Sequence, residues 1–180
     1  MLRRVIVVAP PLALMTALAG CVQASDLPGT SLGTWSVAAK LSTNTCGANL
    51  GAENPWDFTA DLSKDDSTLY LEDTSTSDQV SGVVDSTNGT TATLISAVTS
   101  NVDGVNGATG PCNLTLSSSY AVTLDDATAP KNFTGTATFT YAGATGVSST
   151  NDCTDQLSSN GGKYDTLPCT VTYTLSATKN

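Results

Sequence analysis

The chain has 180 residues, 20 of them Ser and 30 Thr, with 7 Lys and Arg, 16 Asp and Glu and no histidine. A net charge of −9 and a pI near 4.1 exclude a nucleic-acid surface, which needs clustered basic residues. The missing histidines exclude a histidine general base, a Ser-His-Asp or Cys-His arrangement and a histidine-ligated metal, whereas 39% hydrophobic and 13% charged residues exclude a disordered chain.

The chain begins with Arg3 and Arg4, then an apolar stretch from Val5 to Ala17, then Leu18-Ala19-Gly20-Cys21. The apolar run of about 13 residues is shorter than the roughly 20 that cross a bilayer as a helix, so it reads as an export signal. Its ending resembles the lipobox of bacterial lipoproteins. The resemblance implies diacylglycerol on the Cys21 sulfur, cleavage before Cys21 and further acylation, by palmitate for example, of the new amino group. It divides the chain into a signal peptide (1–20), a lipidated cysteine with a short tether (21–30) and one domain (31–180). Val22, not Asp, follows the cysteine, and by the lipoprotein sorting rule this directs the protein to an outer membrane. Loss of Arg3 and Arg4 leaves 5 basic and 16 acidic residues, a net charge of −11.

From Thr34 onward the sequence alternates with a period of two. Trp35, Val37, Ala39 and Leu41 share one face. Trp56, Phe58, Ala60 and Leu62 follow, then Leu69 and Leu71, then Val80 and Val84 within Gln79–Asp85. Thr90–Val98 places Ala92, Leu94 and Val98 inward. Leu114, Leu116, Tyr120, Val122 and Leu124 form the sixth apolar face, Phe133, Ala137, Phe139 and Tyr141 the seventh, and Val171, Tyr173, Leu175 and Ala177 the eighth. Eight segments match a half-buried strand and none a helix of three turns. The opposite faces are Thr-rich. Thr is β-branched, suits the pleat and carries a hydroxyl that water or a neighbour satisfies.

These features predict an all-β fold: a single antiparallel up-and-down β-barrel of about eight strands with two disulfides, a Greek-key β-sandwich being the alternative. In a meander, connections alternate between the two ends. Three short turns, Lys64–Ser67, Asp85–Gly89 and Asp125–Lys131, fall at one end. The longer connections, 42–54, 73–78, 99–111 and 142–168, fall at the other, with Cys46, Cys112, Cys153 and Cys169 in or beside them. An exported chain with four remaining cysteines suggests two disulfides. Cys153 with Cys169 closes a loop of about 15 residues, worth roughly 3 kcal/mol, which leaves Cys46 with Cys112. No C-x₂-C pair supports a zinc site.

Gly33-Thr34-Trp35 opening the first strand resembles the Gly-x-Trp that opens lipocalin domains. That resemblance implies a closed end, an open end with long loops and a cavity for apolar ligands, although no helix follows the last strand. The function expected is a non-enzymatic binding module for a small apolar or glycan ligand, with Trp35, Trp56, Phe58, Tyr120, Phe139 and Tyr173 as ligand-binding candidates. The alternative is a structural or surface-interaction envelope protein with a filled core. Asp65-Asp66 and Asp125-Asp126 sit in turns, where Asp bonds nearby backbone, so they read as turn formers, not catalytic pairs. Asn151, Asp152, Asp155 and Asp165 offer oxygens for Ca²⁺ but lack a D-x-D-x-D-G pattern, and no metal or cofactor is expected. The partners expected are the membrane and a small molecule or cell-surface partner, with no nucleic acid and a monomeric state.

Overall fold

The computed structural model describes residues 27–102, 112–145 and 151–180. The expected export signal and the expected acylation at Cys21 lie outside the described residues. Eight strands follow one another around a closed barrel: β1 (Thr30–Asn44), β2 (Trp56–Asp65), β3 (Thr68–Asp73), β4 (Gln79–Val83), β5 (Thr91–Val102), β6 (Cys112–Leu124), β7 (Asn132–Gly143) and β8 (Cys169–Lys179). Each pairs antiparallel with its sequence neighbour, and β1 closes the circle on β8. Among the described residues the only helical elements are 3₁₀ turns at Ala48–Leu50, Thr154–Gln156 and Ser158–Asn160. The sandwich alternative is thereby excluded.

Period-two alternation becomes an inside and an outside. Cross-strand rows on the inner face alternate bulky and small residues. Tyr120, Ala137 and Tyr173 are neighbours in one row, Val122, Gly135 and Leu175 in the next, Leu124, Phe133 and Ala177 in a third. Small residues beside large ones let the rows interdigitate across a barrel only wide enough for side chains. Gly135 is such a case: a Cβ there would collide with the carbonyl oxygen of Ala121. Outside, hydroxyls pair across strands at Thr99–Thr115 (2.8 Å) and Thr138–Thr172 (3.3 Å).

β1 carries the closure because it pairs with both neighbours, Thr30 to Ala39 with β2 and Trp35 to Asn44 with β8. A bulge at Leu32, between Ser31 and Gly33, breaks the β2 register. Gly33 has φ +102, and a Cβ there would meet the Lys179 side chain. Glycine at this position thus serves the bulge and leaves Leu32 buried.

The three short turns gather at the closed end. Asp66 takes a left-handed φ of 50 in the two-residue β2–β3 turn. The Asp125 carboxylate accepts bonds from the Lys131 N–H (2.9 Å), the Asn132 N–H (3.1 Å) and the Asn132 side chain (3.0 Å). Asp126 accepts from the Ala129 and Thr128 N–H groups, both at 2.8 Å, and from the Thr128 hydroxyl. Asp125-Asp126 is therefore a turn clasp.

The disulfides differ from the pairing expected from loop length. They are Cys46–Cys169 and Cys112–Cys153, with Cα–Cα distances of 4.9 and 4.7 Å. Closure explains the first. Continuing the Asn44–Val171 register by two residues sets Cys46 opposite Cys169, and the Thr45 N–H already bonds the Thr170 carbonyl at 2.8 Å. The second depends on Asn151, whose side chain accepts from the Asn113 N–H (2.6 Å) and donates to the Asn113 and Ala144 carbonyls (both 3.2 Å). Asn151 so stands in for a strand neighbour at the start of β6 and delivers Cys153 to Cys112.

Sequence separations of 123 and 41 residues correspond to about 5 and 4 kcal/mol of unfolded-state entropy in the chain-closure treatment. Non-reducing peptide mapping is expected to recover Cys46 linked to Cys169. Replacing that pair with serines should destabilise the fold by about 2–5 kcal/mol in denaturant titration, and by more than the same change at Cys112 and Cys153. A second expectation concerns acid. Hydrogen bonds, first those from backbone N–H groups, hold the Asp125 and Asp126 carboxyls below the ordinary carboxylate range. Their contribution is present above about pH 4 and lost as pH falls through the lowered values. Asp125→Asn should therefore lower Tm at neutral pH and flatten the fall in Tm between about pH 4 and pH 2, measured by circular dichroism melts.

Candidate functional site

The two barrel ends are packed differently. Trp35 is 0% exposed and meets Phe133 at 5.4 Å, surrounded at the closed end by buried residues such as Leu62 and Leu124. Its indole N–H has no hydrogen-bond partner among the described residues. Trp35 is thus a plug in the core and does not join the other ring candidates at the mouth. Its place low on β1, among inward residues of every neighbouring strand, buries it.

The open end holds the remaining aromatic candidates. Trp56 stacks on Phe58 (4.5 Å, 19° between planes) and meets Tyr173 and Phe139 edge-on at 5.1 and 5.4 Å. Phe139 in turn meets Tyr120 at 5.9 Å and Tyr173 at 6.1 Å. These edge-to-face arrangements suit ring quadrupoles. Two cavities flank the cluster, with Trp56, Leu116 and Phe139 lining both. One, of about 330 Å³, lies under the β1–β2 loop and also touches Tyr141, Val171, Tyr173 and Glu53. The other, of about 220 Å³, lies behind the β3–β4 turn and touches Leu71, Asp73, Asp78, Ser118 and Tyr120. Phe58 lies behind Trp56 and lines neither.

The second cavity exists because β4 is short. Its ladder to β5 consists of Ser81–Ile95, with an isolated bridge at Val84–Ala92 below. Above that point β5 pairs only with β6, leaving a gap in the wall that the β3–β4 turn partly covers. Val98, inward by the alternation, is therefore 61% exposed and lines this cavity. Gly82 keeps the narrow seam together, because a Cβ there would collide with the Thr93 carbonyl oxygen.

The polar groups of the site are acidic and phenolic. Asp73 is 8% exposed, and its Oδ1 accepts from the Ser75 N–H (2.8 Å) and hydroxyl (2.6 Å). Burial, reinforced by the charges of Asp73 and Asp78, raises the Tyr120 phenol well above its ordinary pKa. Burial also raises Tyr173, with help from Tyr141 and Glu53. Both phenols therefore remain neutral hydroxyls at physiological pH.

The rim is tied down by both disulfides and by the β7–β8 connection, whose Tyr164 lies 5.2 Å from Tyr141. The Asp165 N–H donates to the Cys46 carbonyl at 2.8 Å. The oxygens that a Ca²⁺ ion would require are dispersed. Asn151 is bound to β6, Asp152 accepts from the Thr154 N–H (3.0 Å) and hydroxyl (2.8 Å), and Asp165 accepts from the Ser158 hydroxyl (2.8 Å). Asp155 is buried with an Oδ2 that has no partner. Among the described residues no three His, Cys, Asp or Glu side chains are grouped to hold a metal. A wider depression of about 1010 Å³ lies on the outer wall over β5 to β8, lined by Thr93, Thr136 and Thr174. It is open to solvent and holds neither rings nor a buried polar group, so the mouth is the better site.

The period-two pattern located the aromatic rings but not Asp73 and Asp78. An Asp ending a strand two residues before a Ser was the one signal for Asp73, and it reads equally as a turn; Asp78 had none. Comparison with protein-family models, curated proteins and solved structures found no match. Fold and site together define the class: a disulfide-tied eight-stranded up-and-down barrel, filled at one end and aromatic and acidic at the other.

The two ends predict opposite mutational profiles. Trp35→Ala should cost about 3–5 kcal/mol, as large-to-small core changes do. Trp56→Ala, at the half-buried rim, should cost markedly less. In the wild type, acrylamide should quench Trp56 emission and leave that of Trp35 nearly untouched.

Proposed function

We propose that the protein is a membrane-anchored bacterial lipoprotein and a non-enzymatic binding module that takes a small ligand at the barrel mouth. The observation that carries this reading is the unequal filling of the barrel. Two cavities of about 330 and 220 Å³ flank Trp56 and Phe139, while the opposite end is packed solid around Trp35. Concave apolar sites with a few fixed polar groups are the usual form of a small-molecule site. The mouth offers rings for an apolar body or a sugar face, together with hydroxyls of Ser118 and Tyr120 and carboxylates of Asp73 and Asp78. The Leu18-Ala19-Gly20-Cys21 sequence supports the anchor, and Val22 supports an outer-membrane destination. The tether then joins the domain near the closed end, where β1 begins, and presents the mouth away from the bilayer.

Two measurements test this. Trp56 emission should shift on titration with the correct apolar or glycan ligand while Trp35 stays silent. A flat response across fatty acids, retinoid-like compounds, organic amines and glycans would favour the structural envelope protein instead. Cys21→Ser should move the protein from the membrane to the soluble fraction, and unchanged partitioning would sink the anchor.

A further inference from the structure

We propose that the mouth is selective for an organic cation: a small ammonium compound with an apolar or aromatic body. This rests on the binding-module reading above and names its ligand class.

Charge asymmetry comes first. Among the described residues, the long connections and strand ends of the open end carry Glu53, Asp73, Asp78, Asp152, Asp155 and Asp165 against a single base, Lys163. Of these, Glu53 lines one cavity and Asp73 and Asp78 the other, and no Lys or Arg lines either. A fatty-acid carboxylate or a phosphate would enter a field of its own sign without a basic partner. A cleft lined by one sign of charge between apolar walls concentrates the opposite ion.

The second observation is Asp73 itself. It is nine-tenths buried and lines the cavity, yet both hydrogen bonds from Ser75 go to Oδ1. Among the described residues no hydrogen bond reaches its Oδ2. That oxygen is free to pair with a bound N–H or ammonium group. No Lys or Arg lies within salt-bridge distance of it among the described residues, so a bound cation would meet no competing base there.

The third is the rings. Trp56 and Phe139 line both cavities, with Tyr173 in the wall of the first and Tyr120 in that of the second. Ring faces attract a cation lying within about 6 Å, and the attraction grows when water is excluded. Tyr120 lies close enough to Asp73 and Asp78 to feel both charges. A cation held beside Asp73 and Asp78 would therefore have an aromatic wall at its back, and its apolar body would extend past Trp56 and Phe139 toward the cavity under the β1–β2 loop.

Calorimetric titration of the purified full-length protein with three benzyl probes tests the proposal: benzyltrimethylammonium, its neutral isostere neopentylbenzene, and the smaller anion phenylacetate. The ammonium compound is expected to bind at least tenfold tighter than neopentylbenzene, with a change in Trp56 emission, and phenylacetate should bind most weakly. Asp78→Asn, a change that leaves the backbone bonds of the turn intact, should reduce affinity for the cation at least threefold and leave that for neopentylbenzene unchanged. Asp73→Asn should do the same or more, with a melt confirming that the turn still folds. Neopentylbenzene or phenylacetate binding as tightly as the cation, or an Asp78→Asn protein with unaltered preference, overturns the cation inference while leaving the binding module standing. Failure of all three probes, with ligands of the other classes still shifting Trp56 emission, also overturns it. Silence toward every class removes both.

Discussion

The pairing of β1 with β8 is the interaction on which the rest of the molecule depends. Without it the sheet would end in two long edges rich in β-branched residues, open to pairing with other chains. With it, every inward side chain acquires neighbours on both sides, and the alternation of bulky and small residues becomes a core. β1 manages closure by using its first half against β2 and its second half against β8, with one bulge on each side: Leu32 toward β2 and Ser42 toward β8. Bulges add local twist and bend, which a sheet of eight strands needs in order to meet itself. The Cys46–Cys169 disulfide continues this ladder beyond its last backbone pair, so the covalent link reinforces the seam that closes the barrel.

Strand identity and facing were legible in the sequence because both arise from local pattern. All eight segments form strands, and Trp35, Leu62, Leu94, Val122 and Leu175 are buried as their parity requires. What pattern does not carry is which residues meet after closure. Cys46 and Cys169 are 123 positions apart, and only the closed register makes them opposite. Cys112 and Cys153 meet through Asn151, a side chain acting as a strand neighbour, and no periodicity encodes that. Candidate rings are legible for the same reason as the core, and Trp35 lies apart from the others because parity says inward but not how far along the barrel. Val98 shows the converse: inward by parity, it is exposed because β4 stops short beside it.

The hydroxyl-rich composition resolves on the same grounds. Much of the Thr lies on the outer strand faces, where cross-strand pairs such as Thr99–Thr115 and Thr138–Thr172 satisfy one another or water. The acids divide by location. At the closed end Asp125 and Asp126 are engaged by backbone N–H groups and hold a turn. At the open end Glu53, Asp73 and Asp78 face cavities instead. Residues of one type thus serve architecture at one end and line the proposed site at the other, and Asp73 does both, since it also accepts from the Ser75 N–H and hydroxyl.

Division of labour between the ends also bears on how such a site is sustained. A cavity, a half-exposed Trp56 and a buried Asp73 carboxylate each subtract from stability, and a marginally stable domain tolerates few of them. The closed end offsets this with a dense core around Trp35 and Phe133, and the two disulfides hold the rim against the opening that a short β4 invites. Local departures from good packing are expected where function requires them, supported by consistency elsewhere. Here they fall together, around Asp73, Trp56 and the upper edge of β4, and not at random over the barrel. That concentration at one end, opposite a core closed around Trp35, is the physical reason for the proposed site at the mouth.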